Sequence, residues 1–83
     1  MVLFNARIEV RFKLGVLDPQ GETIKNALLN LGFLGIKSIN TGKTFRVNIE
    51  AETVEKARQV ANDLADRLLA NPVIEDFQVE ISQ

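Results

Sequence analysis

The chain has 83 residues, ten basic and eleven acidic, giving a formal charge of −1, and it contains neither cysteine nor histidine. That composition excludes a disulfide framework and the usual zinc or copper sites, and the near-neutral balance gives no broad attraction to phosphate backbones. One domain is expected at this length. So short a chain buries only about 60–65% of the surface its unfolded form exposes, which makes self-association the expected source of further stability.

The first ten residues, MVLFNARIEV, are apolar for three positions and then alternate with charges, unlike a signal peptide. No apolar run approaches the roughly 20 residues needed to cross a bilayer. Together with the missing cysteine, this leads to the expectation of a cytoplasmic protein with no membrane partner.

From Ala6 to Leu14 the pattern alternates: Ala6, Ile8, Val10, Phe12 and Leu14 on one side, Arg7, Glu9, Arg11 and Lys13 on the other. This predicts a half-buried strand, broken at Gly15. Asp18 is placed as an N-cap and Pro19 as the first helical residue, where a missing N–H does no harm. Ile24, Ala27, Leu28 and Leu31 then mark one helix face, and Gly32 suits the left-handed position after a helix end. A second strand is expected around Ile36 to Asn40, and Asn40-Thr41-Gly42-Lys43 reads as a hairpin turn with Gly42 at positive φ.

Phe45, Val47 and Ile49 alternate with Thr44, Arg46, Asn48 and Glu50 as a further strand. Thr53 can cap a longer helix with the apolar stripe Val54, Ala57, Ala61, Leu64, Ala65 and Leu68. Asp63 and Arg67 on its exposed side would add about 0.3–0.5 kcal/mol as an i, i+4 pair. Pro72 stops the helix near Asn71, and Phe77, Val79 and Ile81 mark a last strand. The order β-α-β-β-α-β predicts an α+β, ferredoxin-like fold: a four-stranded antiparallel sheet with both helices on one face.

Chemistry is sparse. Without histidine or cysteine, a Ser or Thr nucleophile would need Lys or a carboxylate as base, and every hydroxyl here has a cap, turn or strand reading. Glu75 and Asp76 are adjacent on a strand and point to opposite faces, so a solvated acidic loop describes them better than a joint acid–base or cation site. Gly42-Lys43 lacks the rest of a phosphate-binding loop. The strand aromatics Phe12, Phe45 and Phe77 fall on the helix-facing side, which argues against base stacking and hence against nucleic acid as a partner. A regulatory module of the ACT type, taking an amino acid near the first strand–helix junction, stays open on local features, since the glycines of GVLDPQG suit close backbone approach.

Several segments together resemble the PurS-type small subunit of phosphoribosylformylglycinamidine synthase: GVLDPQG from Gly15 to Gly21, IKNAL from Ile24 to Leu28, the Gly42-Lys43 pair, and LLANPVIEDF from Leu68 to Phe77. The resemblance spans essentially the whole chain in order. It departs at Asn40-Thr41, where the family often carries a basic residue, and at Arg46, where a carboxylate is more usual. The resemblance implies a noncatalytic role in de novo purine biosynthesis, joining a glutaminase subunit to a large synthetase subunit and assisting ammonia transfer. It also implies homodimers that pair into tetramers. No cofactor or metal is implied in this chain; ATP and Mg belong to the synthetase. Asp18, Gln20, Gly21, Gly42, Lys43, Asn71, Pro72, Glu75 and Asp76 are the candidate interface residues. Because Gly21 costs an ordinary helix about 1 kcal/mol relative to Ala, close approach by a neighbouring subunit's backbone is expected there.

Overall fold

The computed structural model describes all residues from Met1 to Gln83. Strand β1 (Val2–Phe12) is followed by helix α1 (Pro19–Asn30), strand β2 (Gly42–Ala51), helix α2 (Val54–Leu64) running on into a π-helical turn (Ala65–Leu69), and strand β3 (Glu75–Ser82). The sheet has three strands in the order β2-β1-β3, both pairs antiparallel. No helix is long and apolar enough to cross a membrane.

Alternation in β1 does what the pattern predicts. Phe4, Ala6, Ile8 and Val10 are buried beneath α2, while Arg7 and Arg11 lie on the open face. Leu14 does not continue the buried set: the strand ends at Phe12, a turn closes through Val16 N–H to the Lys13 carbonyl (3.1 Å) with Gly15 at φ +85°, and Leu14 is left fully exposed.

Helix α2 covers the sheet through Ala57, Ala61 and Ala65, all fully buried. Methyl side chains at i, i+4 and i+8 let the helix lie close on the larger residues Phe4, Ile8, Val10 and Ile49. Thr53 caps it, accepting from Lys56 N–H at 3.2 Å. The predicted stripe fails after Ala65. The π turn closes from Ala70 N–H back to the Ala65 carbonyl, five residues away, and the wider turn rotates the residues C-terminal to it. Leu68 is therefore 83% exposed, while Leu69 is half-buried and Ala70 buried. Asp63 and Arg67, which straddle the start of the π turn, form no ion pair; the ion pairs present are Arg7–Glu9, Arg7–Glu80 and Arg11–Glu9 on the open sheet face.

Two further expectations are corrected. Residues 36–40 form no strand, because the chain does not bring them alongside a sheet edge, so the sheet has three strands and not four. Without that strand there is no hairpin at Asn40–Lys43. Gly42 opens β2 opposite Arg11 and has no positive φ.

Helix α1 forms where predicted, with Pro19 in the first turn and a Schellman end: Phe33 N–H bonds the Leu28 carbonyl, Gly32 N–H bonds the Leu29 carbonyl, and Gly32 sits at φ +93°. No strand or helix packs along it. Ile24, Leu29, Leu31, Phe33 and Leu34 are exposed, the last by 87%. Residues 19–40 thus project as an arm. The radius of gyration is 16.5 Å, against about 12 Å for a compact domain of this length.

Candidate functional site: the base of the arm

The sequence-nominated residues converge at one end of the sheet. Arg11 is flanked by Gly42 on β2 and Asp76 on β3, and Val10 by Lys43 and Phe77. Gln20, Gly42, Lys43 and Glu75 line one small hollow there. Pro72, Glu75 and Asp76 line another with Arg11 and Lys13, and Asp18, Gly42 and Asp76 share the largest groove with Arg11, Lys13, Asn40 and Thr41.

Asn71 and Glu75 build the turn before β3. Asn71 N–H donates to Glu75 Oε1 (2.7 Å), Asn71 Oδ1 accepts from Val73 N–H (3.0 Å), and the Asn71 carbonyl accepts from Glu75 N–H (2.7 Å). Lys13 N–H then bonds the Ile74 carbonyl at 2.8 Å, fastening this turn to the end of β1. Glu75 is therefore the half-buried first residue of β3, its side chain closing the preceding turn, and not part of a solvated acidic loop, while Asp76 is exposed on the other face beside Arg11.

Asp18 is the only buried charged side chain, 9% exposed. One carboxylate oxygen accepts from Gly21 N–H (2.8 Å), the N-cap bond the sequence predicts. The other accepts from Thr41 N–H (2.6 Å), and Thr41 Oγ1 lies 2.9 and 3.0 Å from the two oxygens. These bonds, led by the Thr41 backbone N–H and then that of Gly21, outweigh desolvation and hold the carboxyl below its ordinary pKa.

Gly21 has a steric explanation. A Cβ built there would come 2.1 Å from the carbonyl oxygen of Ile39. Close backbone approach is therefore real, but the backbone belongs to this chain and not to a neighbouring subunit. It also fills the room that an ACT-type reading would give to a ligand at Gly21. Gly42 is explained the same way, since its Cβ would meet the Val10 carbonyl at 2.7 Å. Sequence reasoning missed Thr41 and Ile39. The available hint was that an N-cap uses one oxygen of a carboxylate and leaves a second to be satisfied.

A three-stranded sheet under one helix, with a second helix held out from its base, defines a small α+β domain with an uncovered arm. Residues 5–83 match the family described as PurS: Phosphoribosylformylglycinamidine (FGAM) synthase, and the chain belongs to that family. Among similar proteins are the PurS subunits of phosphoribosylformylglycinamidine synthase from Methanocaldococcus jannaschii, 36% identical over 98% of each chain, and from Archaeoglobus fulgidus, 40% identical over 89% of this chain and 92% of the relative. Among solved structures, PurLQS from Thermotoga maritima contains a chain at TM-score 0.88 and 36% identity, covering 99% of this chain and all of that one.

Proposed function

We propose that this chain is the noncatalytic small subunit of a phosphoribosylformylglycinamidine synthase complex in purine biosynthesis, joining a glutaminase subunit to a large synthetase subunit. The observation that carries this reading is end-to-end likeness to a chain in the solved PurLQS structure. Ammonia in water near neutral pH is mostly protonated and no longer nucleophilic, so its transfer between two sites needs a sealed interface. A rigid spacer supplies such a seal with no reactive group of its own. ATP and Mg act in the synthetase, and the complex works in the cytoplasm.

Self-association belongs to the same reading. The arm carries an uncovered apolar side, and Phe45, Val47, Phe77, Val79 and Ile81 on the helix-facing side of the sheet are only half-buried. Two copies covering these surfaces reciprocally form a dimer, with tetramers as pairs of dimers. In a ferredoxin-like layer the missing strand would lie outside β2 and the second helix beside α2, so the four-stranded arrangement is completed between copies. Gln20, Lys43, Pro72 and Asp76, at the arm's base, contact the partner subunits.

The test is reconstitution. The chain alone should hydrolyse neither glutamine nor ATP, and adding it to the glutaminase and synthetase should restore glutamine-dependent product. Equal activity without it would overturn the proposal.

A further inference from the structure

The backbone joins the arm to the rest of the molecule at two crossings, the α1 cap Asp18, six residues beyond the end of β1, and Thr41, immediately before β2. No hydrogen bond links residues 19–40 to either the sheet or α2, and no element packs along α1. The Asp18 carboxylate bridges those two crossings through both of its oxygens, and the Ile39 carbonyl seats against the Cα side of Gly21 just above. A helix attached through two unlinked crossings would swing freely; linking them removes that freedom. The geometry points to Asp18 and Thr41 as a latch whose function is to fix the direction in which the α1 arm leaves the body.

An arm held in one direction loses less orientational freedom when it docks, whatever it docks against. The inference therefore stands apart from the assembly reading and is tested without partner subunits. Capping and latching are separable chemically. Asn is as good an N-cap as Asp, but its amide offers one oxygen, so Asp18→Asn keeps Gly21 N–H satisfied and sets an NH2 group against Thr41 N–H. Thr41→Val removes the hydroxyl alone, and Thr41→Ser retains it.

The chain has no cysteine, so spin labels at Asn30→Cys on the arm and Asn62→Cys on α2 report their separation cleanly in single chains kept dissociated by dilution, where no second copy covers the arm. The wild type and Thr41→Ser should give one narrow distance distribution. Asp18→Asn should broaden it strongly and Thr41→Val more weakly, while the sheet's thermal transition remains cooperative. Unchanged distributions in both variants would overturn the latch. Loss of the cooperative transition in both would overturn it as well, because the bonds would then hold the fold and not the arm.

Discussion

The body of the molecule and its arm are built on opposite terms. In the body, three strands and α2 bury Phe4, Ile8, Val10 and the alanines of α2, so each element is held by its neighbours. In the arm, every element signal is local: a capped start, a proline, a glycine stop. An isolated helix of about 12 residues is marginal in water on its own signals. The contrast teaches that good local coding and tertiary support are separate properties. This chain puts them in different halves.

The largest expected effect lies in the body. Ile8→Ala removes a fully buried side chain between both partner strands and should cost about 2–5 kcal/mol in chemical denaturation. Gly21→Ala comes next and sets two rules against each other. Helix propensity favours Ala by about 1 kcal/mol, while collision with the Ile39 carbonyl should cost about 1–3 kcal/mol as an overpacked contact does. A net loss of stability, read from the denaturant midpoint, is expected; a net gain would mean the arm's base is loose.

Leu34→Ser inverts the pattern of Ile8→Ala. Exposed in the single chain, it should change denaturation of the body by less than about 0.5 kcal/mol yet raise the dissociation constant measured by analytical ultracentrifugation. Acid should act on the arm before the body. Folded Asp18 binds a proton less readily than unfolded Asp, so its contribution is complete above the ordinary carboxyl value near about 4 and fades as pH falls through the lowered folded value. Arm–body spin-label distances should broaden there, and Asp18→Asn should abolish the pH dependence. The smallest effect is Glu80→Gln, which removes an exposed partner of Arg7 at 3.4 Å, should change stability by about 0–0.5 kcal/mol and should leave self-association unchanged.

Legibility in the sequence divides along the same line. Asp18, Pro19 and Gly32 mark the ends of α1 correctly because caps and stops act within a few residues. The faces of β1, β2 and β3 come from period-two alternation. Residues 36–40 do not, since Ile36 and Ile39 lack that alternation and a strand needs an edge to pair with. The swap of Leu68 for Leu69 at the core came from one extra residue in a helical turn, which no periodicity announces. Gly21 could be recognised as anomalous from sequence, but its reason lies 18 residues away in a carbonyl group. Thr41, at 23 residues from Asp18, was beyond reach for the same cause.

The position of β1 in the sheet has a consequence for how the protein is made. It is the central strand, yet it is made before either of its partners, which reach to Ala51 and Ser82. At about 5–20 residues per second, the strand waits on the order of a few seconds for β2 with both edges open, and about as long again for β3 with one edge open. Arg7, Glu9 and Arg11, which contribute little as ion pairs on the finished surface, interrupt what would otherwise be a sticky apolar segment during that wait. Replacing all three with Thr should leave the melting temperature of purified protein nearly unchanged and increase the insoluble fraction during expression. An unchanged soluble yield would remove that guarding role.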